Sequence, residues 1–169
     1  MRGTATFCAL LLLAAPGLMV QAWAEGTSCK PATAMHLTTN KPLTGKNVTF
    51  VSGFGVRVHP ILRYRRMHPG VDWGAPRGTP VIAAAAGLVT SAGHKSGYGN
   101  TVIIDHGAGF ETVYAHLSAI AVHVGDCVDA GANIGAAGST GLSSHMGVHF
   151  EVRRGGVAVD PMRETVAEN

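Results

Sequence analysis

The 169-residue sequence is poor in charged residues, which make up 14% of it, whereas an average globular protein has about 25%. Its basic residues are scattered, the net charge is only +3, and the densest cluster is Arg63, Arg65 and Arg66. This composition excludes a disordered or strongly charged chain. A nucleic-acid-binding protein is not expected either, because such proteins carry a basic patch or stripe.

Beyond residue 24 the sequence also lacks any long stretch with the apolar period of a helix. Glycine is abundant instead, at 23 residues, without the three-residue period of collagen. Short apolar runs alternate with glycine-rich and proline-rich turns, and this pattern is typical of β-strands. The clearest predicted strands are Pro80–Ala84, Gly87–Thr90, Thr101–Asp105, Glu111–Ala115 and Val148–Val152. We therefore predict a single all-β domain of antiparallel strands.

The first 24 residues have the pattern of a secretory signal peptide. Arg2 precedes an apolar core over residues 7–15, and Ala22-Trp23-Ala24 matches a cleavage site. The apolar run is shorter than the ~20 residues that span a bilayer. We expect export to the periplasm or the extracellular space, with no stable membrane insertion after cleavage; the alternative is an uncleaved anchor. The chain then divides into a signal peptide (1–24), a polar arm (25–47), a domain (48–163) and a tail (164–169).

Cysteine is scarce, with three residues in the whole chain. Cys8 lies in the predicted signal peptide, which leaves Cys29 and Cys127. In an oxidising compartment these two permit one disulfide that would attach the arm to the domain, but the sequence leaves their pairing open. Their wide spacing without a CxxC motif does not indicate a zinc site.

Histidine is frequent, with nine residues, and one lies in the segment His68-Pro69-Gly70-Val71-Asp72. An extended chain would separate His68 from Asp72 by about 13 Å, so both reach one metal ion only if the segment bends. Pro69 and Gly70 favour such a bend. On spacing alone, however, this pair is weak evidence for a metal site.

Two further histidines are associated with predicted strands. His149 alternates with core residues and shares a strand face with Glu151, whereas His116 follows the strand 111–115. One carboxylate and two imidazoles, with a fourth position left to water, are typical of a catalytic zinc site rather than a structural one. Glu151 is expected to support its strand rather than act as a base.

Seven motifs in order between Ser52 and Val152 resemble the lysostaphin-type zinc endopeptidases, which cut peptide cross-links in bacterial peptidoglycan. The matching segments are 53–60 (GFGVRVHP), 67–72 (MHPGVD), 76–81 (PRGTPV), 97–100 (GYGN), 114–118 (YAHLS), 139–141 (STG) and 149–151 (HFE). The resemblance implies a groove that contains zinc, with His68, Asp72 and His149 as ligands and His116 as a catalytic residue. It also implies that the substrate is a peptidoglycan stem peptide.

The chain departs from the family at Gly147. The resemblance implies a histidine at this position, the first of the H-x-H motif, which is a second catalytic residue in the family. Residues 147 and 149 of an extended strand lie about 7 Å apart on one face, so we expect position 147 to point into the groove. Activity is then impaired unless His145 replaces the missing side chain. The alternative is a zinc-bearing pseudoenzyme that binds peptidoglycan or activates another cell-wall hydrolase.

Overall fold

The computed structural model describes Cys29 and residues 37–164, and these residues form thirteen strands and one short 3₁₀ helix. The predicted signal peptide lies outside the described residues. No helix of the described part is long and apolar enough to cross a membrane. The strands are β1 (Thr49–Ser52), β2 (Gly55–Val58), β3 (Arg65–His68), β4 (Val71–Gly74), β5 (Pro80–Ile82), β6 (Gly87–Lys95), β7 (Gly99–Asp105), β8 (Phe110–Leu117), β9 (Ala119–Ile120), β10 (Cys127–Val128), β11 (Asn133–Ala136), β12 (Gly147–Arg154) and β13 (Val157–Val159).

The main sheet has eight strands in the order β1-β4-β12-β8-β7-β6-β10, with β13 paired to β12. A second sheet has the order β5-β11-β9, and β2 and β3 form a separate hairpin. Every pairing is antiparallel, which confirms the predicted all-β class.

The five predicted strands all occur. Four extend beyond their predicted ends, whereas β5 ends at Ile82 rather than at the predicted Ala84. The segment predicted as Gly87–Thr90 continues to Lys95, since its second half pairs with β7 although its sequence is not strongly apolar. Strand β4 had no clear sequence signal. It forms because its four residues pair with β1 on one side and β12 on the other.

The hydrophobic core contains residues of both the main sheet and the second sheet. Alternate residues of β12, Val148, Phe150 and Val152, are fully buried. Phe150 packs beside Tyr114 of β8, with ring centroids 5.4 Å apart. Burial of each such side chain contributes about 1.5–3 kcal/mol, so the strands that carry the site are rigidly supported.

The described part of the predicted arm packs against the domain. Leu37 and Leu43 belong to the hydrophobic core, and the Thr38 amide donates to Ala84 O at 2.7 Å. Cys29 and Cys127 form a disulfide, which resolves the pairing that the sequence left open. The arm therefore contributes core residues as well as a covalent attachment.

Candidate functional site

Three side chains converge where the β2–β3 hairpin meets strands β4 and β12 of the main sheet. His68 ends β3, Asp72 lies in β4, and His149 lies in β12 directly opposite Asp72. The predicted bend between His68 and Asp72 is present as the turn that joins β3 to β4. A side chain at Gly70 in this turn would place its Cβ 2.2 Å from Phe150 O, so only glycine allows this close approach to β12.

The three side chains meet through one potential ligand atom each. His149 Nδ1 lies 2.8 Å from Asp72 Oδ1, and His68 Nε2 lies 3.2 Å from the same oxygen. The two ring nitrogens are 3.1 Å apart. All three residues are buried, with exposed fractions of 8% for His68, 5% for Asp72 and 4% for His149. Two nitrogens and one oxygen therefore face a common, largely dry point.

Outer hydrogen bonds determine which nitrogen of each ring faces that point. His68 Nδ1 donates to Gly53 O at 2.7 Å, and His149 Nε2 donates to Glu151 Oε1 at 3.0 Å. In the neutral rings, the opposite nitrogens therefore carry lone pairs that face each other. Such a pair repels unless a proton or a metal cation lies between, so the donor set fits a metal ion.

The electrostatics of the cluster agree with this assignment. Burial raises the pKa of Asp72, but the adjacent His149 and His68 rings, when protonated, outweigh it and hold the pKa well below its usual range. Burial lowers the pKa of His149, but hydrogen bonds to Asp72 and Glu151 raise it above the ordinary value overall. The site thus favours a positive charge between its carboxylates. Two imidazoles and one carboxylate are ligands that zinc accepts.

Glu151 is fully buried and connects His149 to two further side chains. Its carboxylate accepts hydrogen bonds from the Tyr98 hydroxyl at 2.6 Å and from Arg153 Nε at 2.8 Å. Burial, with Glu151 as a further cause, raises the pKa of Tyr98 to about 12, so the phenol remains a donor. Sequence reasoning missed this orienting role, although the shared strand face of His149 and Glu151 was a usable signal.

His116 lies beside the cluster, with its ring centroid 5.9 Å from that of His149. Its backbone is left-handed, with φ 64°, and its Nδ1 donates to Thr140 O at 2.8 Å. This leaves Nε2 with a lone pair. Burial is the largest cause of a lowered pKa, so the ring is neutral at neutral pH.

His145 lines the same groove as His116 and the three clustered residues. The segment before β12 is looped rather than extended, because Ser143 Oγ donates to His145 O at 2.7 Å. Among the described residues His145 Nε2 has no hydrogen-bond partner, although the atom is buried. Burial is also the largest cause of its lowered pKa.

The expectation that position 147 points a side chain into the groove is wrong. Gly147 has φ 155°, and a Cβ built on it would lie 1.9 Å from Trp73 O. The backbone of β12 approaches β4 too closely at this point for any side chain. In this fold His145, rather than residue 147, brings a further imidazole to the groove.

The sequence matches the model of peptidase family M23 over residues 66–161, more than half of the chain. It is 50% identical over 111 residues to the DD-carboxypeptidase/endopeptidase Mpg of Neisseria meningitidis. That match covers 66% of this chain but 26% of the relative, so the chain spans about a quarter of the curated protein.

Solved structures show the same similarity. A zinc-containing peptidase from Vibrio cholerae superposes with a TM-score of 0.71 at 31% identity, covering 78% of this chain and 41% of that one. The catalytic domain of the antimicrobial peptidase lysostaphin from Staphylococcus simulans gives a TM-score of 0.63 at 37% identity. This match covers 69% of this chain and 90% of the lysostaphin domain. These matches confirm the family resemblance, and the chain belongs to peptidase family M23.

Proposed function

We propose that this protein is an exported zinc metalloendopeptidase that hydrolyses peptide cross-links of bacterial peptidoglycan. The observation that carries the proposal is the convergence of His68 Nε2, Asp72 Oδ1 and His149 Nδ1 beside two further groove histidines. A buried structural zinc site normally has four protein ligands, whereas three ligands beside an open groove suit hydrolysis.

His68, Asp72 and His149 would hold the zinc ion. When bound, zinc would supply Lewis-acid polarisation of the scissile carbonyl and a lowered pKa for the attacking water. Glu151 and the Gly53 carbonyl orient the two imidazoles, as such partners commonly do for histidine ligands.

His116 is the proposed general base. Its Nδ1–H bond to Thr140 O holds the ring, and the Nε2 lone pair is available to accept a proton from the attacking water. The lowered pKa keeps this nitrogen unprotonated at neutral pH.

His145 is the proposed second catalytic residue. A neutral imidazole offers one N–H, which can donate to the oxygen that becomes negative as water adds to the carbonyl. Its unpartnered Nε2 supports this role, because leaving a buried polar atom without a partner costs about 1–3 kcal/mol.

Export rests on the predicted signal peptide. The disulfide between Cys29 and Cys127 supports it, because such bonds persist in oxidising compartments. Fractionation of cells that express the full chain tests this part: the shortened protein is expected in the periplasmic or extracellular fraction. Recovery of uncleaved protein in the cytoplasm or membrane would contradict it.

The direct test of activity is digestion of purified cross-linked peptidoglycan, followed by mass spectrometry of the muropeptides. We expect cross-linked species to decrease and new amino termini to appear, with both effects abolished by a chelator and restored by zinc. His116→Ala is the matched control, since it should retain zinc but lose cleavage.

The second candidate is a zinc-bearing protein that has lost catalysis and instead binds peptidoglycan or activates another cell-wall hydrolase. Gly147 favours it, because a catalytic histidine of the family is absent at that position. An intact muropeptide profile, together with faster digestion by an added hydrolase, would support this candidate over the peptidase.

A further inference from the structure

Two arginines lie opposite each other on the wall of the groove. In the β2–β3 hairpin, Arg57 pairs in register with Arg66, and both line the groove. The neighbouring cross-strand pair is Val56 and Met67, and of these Met67 also lines the groove. Two arginine side chains of one hairpin therefore border the groove.

This juxtaposition places like charges where they repel. Cross-strand residues lie about 5 Å apart at Cβ, and like charges directly opposite each other are destabilising. Arg57 Nη2 bonds Asp72 Oδ2 at 3.1 Å, but within the described part of the chain Arg66 forms no ion pair. The pair therefore has one carboxylate partner, Asp72, which bonds Arg57 alone and already belongs to the candidate metal centre.

The two guanidinium groups also have more N–H donors than the described residues provide acceptors for. Arg57 Nε finds no acceptor among them, and 29% of the Arg57 side chain remains exposed. The positive charge of the two arginines also acts on nearby His59. Burial is the largest cause of the lowered pKa of His59, and Arg57 and Arg66 lower it further. An anionic group in this part of the groove would relieve the repulsion.

We propose that Arg57 and Arg66 form a subsite for a free carboxylate on the substrate residue whose amine is released. The proposal rests on the proposed peptidase function and names the substrate class. Arginine suits this task because its planar fork matches the geometry of a carboxylate.

The position of the subsite determines which carboxylate it recognises. Arg57 is one hydrogen bond from Asp72, so an anion held by the arginine pair lies close to a carbonyl placed at the metal centre. In a D-alanyl-D-alanine terminus or a D-alanyl-diaminopimelate cross-link, the carbon bonded to the scissile nitrogen carries a free carboxylate. A lysine side chain or an internal glycine offers none there, so this subsite selects against those linkages.

The test uses a pair of probes that differ only in this group: diacetyl-lysyl-D-alanyl-D-alanine and its C-terminal carboxamide. Affinity of the purified exported, zinc-loaded protein for each is measured by calorimetry, and hydrolysis by chromatography of the released amino acid or its amide. We expect the parent protein to favour the carboxylate by about tenfold or more, as for a charge-assisted hydrogen bond.

Arg66 is the residue to change, because Arg57 also holds Asp72. Arg66→Gln should remove most of the preference by weakening only the carboxylate probe, and Arg66→Lys should retain part of it. Arg65→Gln is the matched control, since Arg65 carries the same charge on the same strand but is not among the described residues that line the groove. Zinc content and melting temperature verify that each variant is folded and loaded.

The outcomes separate this inference from the proposed function. Equal affinity and equal hydrolysis of the two probes by the parent overturn the carboxylate subsite but leave the peptidase intact. A carboxylate preference in binding without hydrolysis supports the subsite and contradicts the peptidase for this substrate. Equal losses in Arg66→Gln and Arg65→Gln would show a general charge effect and overturn the assignment.

Discussion

Glu151 accepts a hydrogen bond from His149 Nε2 at 3.0 Å, and this contact turns the opposite ring nitrogen, Nδ1, towards Asp72. Tyr98 and Arg153 donate hydrogen bonds to the Glu151 carboxylate, so a network of hydrogen bonds rather than a single one fixes the orientation of the His149 ring. A fully buried side chain that does not line the groove thereby determines the direction of a candidate ligand.

This relationship predicts that Glu151→Gln weakens zinc binding. Loss of such an outer carboxylate typically costs about 10–100-fold in metal affinity, because the histidine loses both its orientation and its basicity. Competition with a chromogenic chelator measures the change. Tyr98→Phe is the control: it removes one hydrogen bond to Glu151 but keeps the contact with His149, so its effect should be several-fold smaller. Similar zinc affinity in Glu151→Gln and the parent would contradict the orienting role.

The ligand assignment predicts different zinc contents for two neighbouring variants. The purified protein should carry about one zinc per chain, because one three-residue donor cluster is found within residues 37–164. Asp72→Ala should lose stoichiometric zinc, whereas His116→Ala should retain it, since His116 Nδ1 bonds a carbonyl and its ring lies outside the cluster. Atomic emission spectroscopy checks both variants. Stoichiometric zinc in Asp72→Ala would refute the ligand set.

Gly147 is predicted to be structurally required. Even alanine would place a Cβ 1.9 Å from Trp73 O, on a backbone with φ 155°, so we expect Gly147→Ala to lose about 3 kcal/mol or more of the free energy of unfolding. Gly147→His should lose stability as well and not gain activity. Denaturant titration measures both.

The matched control is Gly93→Ala in β6, where an added Cβ meets nothing within 4 Å. This variant should change stability by less than about 1 kcal/mol. Equal stability of Gly147→Ala and Gly93→Ala would contradict the close packing of β12 on β4.

His145 is predicted to contribute to turnover without contributing to zinc binding. Removing one donor to a developing oxyanion typically lowers kcat by about 10²–10³-fold. His145→Ala should show a loss of that order with unchanged zinc content, and the exposed His94→Ala should match the parent. Rates of cross-link cleavage under saturating substrate give the comparison. Full activity in His145→Ala would exclude it from catalysis.

The pH dependence of cleavage should follow the neutral form of His116. A base must be unprotonated, and burial lowers the pKa of His116 below 6.5, so activity should persist on the acid side of that value and fall only at lower pH. A profile of kcat/KM against pH measures this limb. An acid limb centred above pH 6.5 would contradict His116 as the base.

Much of the fold could be predicted from local sequence, because strand alternation and turn formation depend on residues that are close together in the chain. Val148–Val152 alternates so clearly that its strand and the shared face of His149 and Glu151 were both evident. Strand β4 was not evident, because its pairing partners are supplied by distant segments rather than by its own four residues. The turn at Pro69-Gly70 was predicted, but the reason for glycine there, the approach to Phe150 O, required the packed structure.

The amino-acid sequence by itself determined the all-β class, the family and the set of residues that meet at the groove, since these follow from periodicity and from motifs in order along the chain. Only the tertiary structure decided the geometry at Gly147 and His145. Strand alternation assigns a direction to residue 147, but the contact between the β12 and β4 backbones leaves no space for a side chain there. The loop before β12 instead brings His145 to the groove. The space available to a side chain depends on the packing of the neighbouring strand, which local sequence does not specify.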